Sequence, residues 1–341
     1  MKEYKIHLIP TGSFEIIPHS DTIFGAVCWA IRILFGEKRL IQILDEFKSS
    51  PPFFLSSAFP WKQIGKIRHY YLPKPYMCLL SINDLKKLEN KSRLKLRLYH
   101  KAQKACLMDI VNKYKQFKKI KWIPLSVFKK IQKGESEKSL FLDFLDGLLR
   151  NPKFFESGIV QKNRLDRLSF STSGDGETFF VNELSLRNNC GLYFLLKTND
   201  IDEYLKPALL YLQDSGIGPD AHTGKNWFKV EIESKPLFDD NPQTNTFITL
   251  SRYIGVDDID IESSWYEVES VRSKVESRFE FAGENIWKAR VLYFSAGSII
   301  KPKEIRPFYG AVIPVKNIHG STIYQYGYAY PVYIQEKKDE D

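Results

Sequence analysis

Cysteine is scarce in this chain and never paired. Cys28, Cys78, Cys106 and Cys190 lie far apart with no CxxC spacing. A zinc knuckle or disulfide framework is therefore not expected, and buried free thiols are. Histidine is also sparse: six residues, scattered, with no HxH or HExxH pattern, so no metal site is expected. There is no GxSxG elbow and no Cys–His constellation of the kind that serves nucleophilic catalysis. Long apolar runs are missing too. The longest, Ile23–Ile31, ends at Arg32, well short of the roughly 20 residues a bilayer span needs. Met1-Lys2-Glu3 begins no basic-then-apolar leader, so the sequence points to a cytoplasmic protein away from the membrane. What is present excludes disorder: 43% hydrophobic and 14% aromatic residues over 341 positions supply core enough for about two domains.

Charge is uneven. Lysine and arginine number 50 against 41 acids, a net +9. From Trp61 to Lys133 there are 20 basic residues and three acids, so this stretch carries +17 and the rest of the chain −8. Aromatics interleave with the cations there: Tyr70, Tyr71, Tyr99, Tyr114, Phe117 and Trp122. Cations attract a phosphate backbone and flat rings stack on unpaired bases. The same pattern also suits a face that docks an acidic partner protein, or a solvated lysine-rich surface.

Apolar periodicity predicts a strand over Lys5–Ile9 and an amphipathic helix carrying Ile23, Phe24, Val27, Ile31 and Leu34 that ends near Gly36, with Ser20 as its N-cap. A second helix with Leu40, Leu44 and Phe47 on one face stops at Pro51-Pro52. Residues 83–147 read as a basic, mostly helical insertion. A long hairpin follows, over about 159–186, with arms Val160–Phe170 and Thr178–Leu186 and its tip at Ser173-Gly174-Asp175-Gly176. Further strands are expected over Gly191–Lys197, Asn226–Ser234, Thr246–Tyr253, Ile286–Phe294 and Tyr324–Val332, with one helix within Asn199–Asp214. This order fits two α+β sandwich units better than a parallel sheet, which needs a crossover helix after almost every strand.

The densest constellation is the loop 214–226, Asp-Ser-Gly-Ile-Gly-Pro-Asp-Ala-His-Thr-Gly-Lys-Asn. Gly216, Gly218 and Gly224 allow close backbone approach to a ligand, and His222, Thr223 and Lys225 bring donors. It is no P-loop: five residues separate Gly218 from Gly224, and Asn226 rather than Ser or Thr follows Lys225. A loop hugging an RNA backbone fits, and so does a plain helix-to-strand turn with a glycine C-cap. His19-Ser20-Asp21-Thr22 opens the first helix, where free N–H groups can hold a phosphate or simply be capped by Ser20 and Asp21. His19 there could also serve as a general base toward a ribose hydroxyl. The hairpin carries Lys162, Arg164 and Arg167. The acidic runs Asp239-Asp240 and Asp257-Asp258-Ile259-Asp260 lack the ordered ligands of a calcium loop.

Taken in order, His19–Ala26, Asn163-Arg164-Leu165-Asp166-Arg167, Gly216-Ile217-Gly218 through Thr223-Gly224-Lys225, Thr249–Tyr253 and Gly327–Val332 resemble one family. They are similar to the RAMP-superfamily subunits of type III-A CRISPR (Csm) effectors, the fourth-subunit kind related to the Cas5-type caps. The family loop usually reads Gly-Ile-Gly-Gly and ends Thr-Gly-Lys-Gly, whereas Pro219 and Asn226 replace two of its glycines here. The resemblance implies two ferredoxin-like (RRM-like) domains, 1–186 with the insertion and a β-hairpin thumb, and 187–341 with the glycine loop. It implies a non-catalytic cap of the CRISPR RNA 5′ handle, with the large polymerase/cyclase-like subunit and a backbone RAMP subunit as partners. No cofactor, metal, membrane or small-molecule substrate is implied. RNA contacts are expected from His19, Ser20, Arg164, Arg167, Gly216, Gly218, His222, Thr223, Gly224, Lys225 and Arg252. Such modules read single strands by stacking and backbone contact. The alternatives are a metal-independent endoribonuclease of the same superfamily with His19 as general base, a backbone RAMP that cleaves target RNA through a loop Asp, and a module docking an acidic protein.

Overall fold

A computed structural model of the chain describes residues 1–14, 16–88, 103–163, 171–172, 178–218, 224–238, 244–256, 259–275 and 285–335. Along it run β1 (Lys2–Pro10), α1 (Ser20–Phe35), α2 (Glu37–Glu46), β2 (Phe53–Leu55), β3 (Phe59–Ile64), β4 (Ile67–Pro73), α3 (Gln103–Lys118), β5 (Trp122–Pro124), α4 (Leu125–Gln132) and α5 (Glu137–Leu145). Then come β6 (Phe155–Asn163), β7 (Thr178–Leu186), β8 (Cys190–Thr198), α6 (Leu205–Ser215), β9 (Phe228–Glu233), β10 (Phe247–Thr249), β11 (Val268–Val271), β12 (Val291–Phe294), β13 (Ile299–Ile300), β14 (Val312–Ile318), β15 (Ser321–Tyr326) and β16 (Pro331–Tyr333). They form a mixed α/β chain whose paired strands run antiparallel.

The first of two compact units comprises 1–68 and 153–237. Its sheet is ordered β3-β8-β1-β9, with β2 also on β8. In the chain the sheet strands and their helices run β1, α1, α2, β2, β3, β8, α6, β9. β8 sits centrally, and every residue of Cys190–Thr198 except Lys197 is buried. That explains its near-continuous apolar sequence. α1 turns Ile23, Phe24, Val27, Ala30 and Ile31 into the core, and α6 turns in Leu205, Ala208, Leu209 and Leu212. Phe47, just past α2, meets Phe24 at 5.4 Å and Phe53 at 5.0 Å, both edge to face. Each such ring contributes about 2–3 kcal/mol by burial.

Polar side chains are also buried on β1. Lys5 pairs with Glu233 on β9 at 2.8 Å. His7 is fully buried, and its pKa is lowered to about 4 by desolvation first and then by Arg68. Arg68 is held by Glu231 at 2.8 Å and stacks 4.8 Å over the Trp61 ring.

The second unit comprises 69–152 and 238–341. Short antiparallel strands build it: the three-stranded β13-β10-β16 and the pairings β11-β12, β14-β15 and β4-β5. Phe247, Tyr253, Ile300 and Tyr309 form one core. Tyr114, Phe117, Phe141 and Phe144 of α3 and α5 form an aromatic group around buried Glu137. Lys74 compensates that carboxylate at 3.0 Å.

Several expectations change. Both compact units are drawn from interleaved stretches of the chain. β8, α6 and β9, expected in the second domain, complete the sheet of β1. Pairings such as Lys2 with Thr198 bridge nearly 200 residues and leave no local signal. The helices α3, α4 and α5 of the expected insertion belong to the unit that also takes in 238–341. His19, not Ser20, is the N-cap of α1. Ser20 is the first helical residue, fully buried, and its backbone N–H donates to the Ser57 hydroxyl at 3.2 Å. Among the described cysteines only Cys190 is buried; Cys28 is half-buried and Cys78 exposed.

Candidate nucleic-acid interface

Three segments far apart in sequence meet in the first unit. The β1–α1 turn, the end of the glycine loop and the foot of the β6–β7 hairpin share one junction. Phe14 and Leu184 exchange both backbone hydrogen bonds, at 2.8 and 2.7 Å. The Asn226 N–H donates to the Ser13 carbonyl at 2.8 Å, and the Ile217 N–H to the Asn226 carbonyl at 3.0 Å. The Thr11 N–H reaches the Trp227 carbonyl at 3.0 Å. Beneath, Phe14 is fully buried against Phe155 and Phe228.

Glycine is required at two points. A Cβ at Gly12 would lie 2.9 Å from the Gly224 carbonyl oxygen, so backbone would have to move. Gly218 has φ +96°, a conformation that strains any side chain, and it lies beside the first turn of α1, where a Cβ would make ordinary contact with the Thr22 methyl at 3.4 Å. Gly216, by contrast, is the C-cap of α6, its N–H bonded to the Leu212 carbonyl at 2.9 Å. The plain helix-to-strand role thus applies to the loop's first glycine.

An ion pair closes the junction. Lys225 is only 3% exposed, and its Nζ lies 3.1 Å from Glu183 Oε1 on β7. The geometry is that of an ion pair rather than a well-directed hydrogen bond. The Ser13 hydroxyl donates to Glu183 Oε2 at 2.9 Å. Desolvation would raise the Glu183 carboxyl, but Lys225 and Ser13 outweigh it and hold the group below its ordinary range. The lysine expected on RNA phosphates is therefore turned inward, because a carboxylate at the hairpin foot already neutralises it.

Beyond this foot the hairpin is open on both faces. Register pairs Gln161 with Phe180 and Lys162 with Phe179, and paired residues share a face. Phe180 is 70% and Ile159 72% exposed on one face, and Phe179 is 48% exposed on the other. Reading the sequence for basic residues passes over these rings. The available signal is the adjacent pair Phe179-Phe180, which puts one aromatic on each face of a strand and so cannot mark a half-buried one.

The other expected contacts divide. His19 is half-buried at the start of α1. Ser20 lies inside. Arg252 belongs to the second unit, where its Nη2 lies 2.7 Å from Glu269 and its guanidinium 5.8 Å from the Tyr293 ring. Arg164, Arg167, His222 and Thr223 lie outside the described residues. Among the described residues no group of three His, Cys, Asp or Glu side chains gathers as a metal site, and no helix is long and apolar enough to cross a membrane.

No family model matches the chain. Over 249 residues it is 28% identical to the CRISPR system protein Csm4 of Thermococcus onnurineus, covering 72% of this chain and 73% of that one. The similarity to Csm4 thus spans most of both chains. Solved structures agree on the fold. A chain of the Csm1–Csm4 cassette in complex with pppApA superposes with a TM-score of 0.58 at 21% identity, covering 99% of this chain and all of that one. A chain of the Csm3–Csm4 subcomplex of the type III-A CRISPR-Cas interference complex gives 0.54 at 18% identity, covering 95% and 99%. The resemblance drawn from the motifs of the sequence thus extends along nearly the whole Csm4 fold.

Proposed function

We propose that this chain is a non-catalytic, crRNA-binding subunit of a type III-A CRISPR interference complex, holding the 5′ repeat-derived handle. The observation that carries this reading is the convergence of the β1–α1 turn, the two loop ends 216–218 and 224–226, and the hairpin foot at one junction of a chain similar to Csm4. Backbone groups of the loop, with His19, His222 and Thr223, contact handle phosphates. The hairpin acts as the thumb: Phe179 and Phe180 offer rings to unstacked bases, and Arg164 and Arg167 hold the RNA where it leaves toward the spacer. Lys225 serves by fixing loop to hairpin. The strand-helix order and β3-β8-β1-β9 sheet support a ferredoxin-like first unit; a second such unit is part of the same reading. The subunit joins the large signature subunit to the backbone RAMP subunits in the cytoplasm. That Csm4 has been crystallised in Csm1–Csm4 and Csm3–Csm4 assemblies supports this placing.

The test uses the purified chain, a labelled CRISPR repeat RNA and a handle-scrambled control, in EDTA, with wild type and His19→Ala. Handle-dependent binding with intact RNA is expected. Metal-independent cutting that vanishes in His19→Ala would instead make the chain a processing endoribonuclease.

A further inference from the structure

The second unit carries a basic aromatic face that the junction does not use. The strand leaving β11 and the strand entering β12 are joined by the Lys274–Trp287 bridge, with the Val275 N–H on the Ile286 carbonyl at 2.8 Å and the Lys288 N–H on the Ser273 carbonyl at 3.0 Å. Alternation sorts the side chains. Val275 and Ile286 face inward onto Ile318 and Ile323. Arg272, Lys274 and Trp287 face out. The Trp287 ring is 42% exposed, with the Lys274 ammonium 4.9 Å and the Arg272 guanidinium 5.4 Å from its centre.

The Arg272 Nε–H also donates to the Lys288 carbonyl at 3.4 Å. The backbone pairing therefore sets where both cations stand relative to the ring. Every charged residue in Val271–Val275 and Asn285–Arg290 is basic. The acids at the start of β11 are engaged elsewhere: Glu267, just before it, accepts from the Tyr76 hydroxyl, and Glu269 on it accepts from Arg252 at 2.7 Å. A large ring kept in water between two cations has no packing role on this hairpin, since Val275 and Ile286 already bury its inner face.

We propose that the Arg272–Lys274–Trp287 face is a second RNA contact, taking a single-stranded segment outside the handle. The ring supplies a stacking platform for one base, and the two cations take the flanking phosphates. An acidic protein would want the cations and not the ring. The choice of RNA as the polyanion rests on the RNA-binding reading above.

The experiment uses the full chain and two probes, a fluorescein-labelled 15-nucleotide oligouridylate and the repeat RNA bearing the handle. For the oligouridylate, Trp287→Ala is expected to weaken binding about tenfold, the loss of one stacked base, and Trp287→Phe to keep most of the affinity. Arg272→Gln with Lys274→Gln is expected to lower the slope of log K against log salt by about 1.4, two phosphate contacts on a single strand. All three variants are on the surface, and an unchanged thermal midpoint confirms that they fold. Wild type that ignores the oligouridylate, or wild-type affinity in Trp287→Ala, overturns the inference. So does a loss confined to the charge variant, which marks a plain cationic surface. Binding of the repeat RNA by wild type is read in parallel. Its absence speaks against the handle reading, and its presence beside unaffected oligouridylate binding removes only this face.

Discussion

Lys225→Met separates two roles that the sequence cannot tell apart. If Lys225 touches phosphate, its loss lowers the salt slope of RNA binding by about 0.7 and leaves folding unchanged. The structure assigns the opposite outcome. The ammonium is buried 3.1 Å from Glu183, so removing it leaves a carboxylate short of its counter-charge. Breaking a fully buried pair costs roughly 3–5 kcal/mol. Glu183 keeps the Ser13 hydrogen bond and an 18% exposed side chain, so about 2 kcal/mol is the expected cost here. For a unit of this size that lowers the thermal midpoint by roughly 4–8 °C. A double-mutant cycle with Glu183→Gln isolates the pair, with an expected coupling of about 1–2 kcal/mol, since neither partner is then left alone. RNA affinity falls as the loop loosens, but the salt slope stays at the wild-type value. Additive single mutants, or a shallower slope with an unchanged midpoint, would refute the latch and return Lys225 to the RNA.

Other consequences follow from the same geometry. Because the Glu183 carboxyl is held below its ordinary range, its contribution is full above the unfolded value of about 4.3 and is lost as pH falls through the folded one. The difference in thermal midpoint between wild type and Glu183→Gln should therefore vanish in acid. His7 works over another window: with a folded pKa near 4 against 6.5 unfolded, the unfolded chain binds more protons between them. Stability of the first unit should fall by at most about 3 kcal/mol as pH drops from 6.5 to 4, and urea titrations of His7→Gln should show a flatter pH profile. Gly12→Ala should cost about 1–3 kcal/mol by forcing its Cβ onto the Gly224 carbonyl and weaken handle binding, both readable on one preparation. Phe180→Ala, at a 70% exposed ring, should leave the thermal midpoint within about 1 °C yet reduce retention of crRNA; a marked midpoint loss would make the ring structural.

Much of this architecture was legible in residue patterns, where the cause is local. The three- and four-residue spacing from Ile23 to Ile31 placed α1, and the Gly36 C-cap ended it. The hairpin reading placed the arm Thr178–Leu186 on β7. The loop glycines marked places where the chain is tight: Gly216 caps α6, Gly218 sits beside Thr22, and Gly224 lies against Gly12. What was not legible depends on partners distant in the chain. Nothing near Lys225 announces Glu183, 42 positions earlier, so a buried latch reads as an RNA-facing lysine. Arg252 reads as a free cation until Glu269 folds against it. Ser20 has the chemistry of a cap, but Ser57 reaches its N–H first and draws it inside. The place of β8 and β9 beside β1 is equally silent, since they join it only through pairing across most of the chain.

The central claim is that the handle lies on the junction of the first unit, and photo-crosslinking tests it most directly. A repeat RNA carrying 4-thiouridine at successive handle positions would be irradiated with the full chain and the attached peptides sequenced. The expected adducts fall in the glycine loop, 216–226, and in the hairpin arms, 155–186, on intact RNA. Handle adducts confined to other segments, with none in these two, would contradict the account.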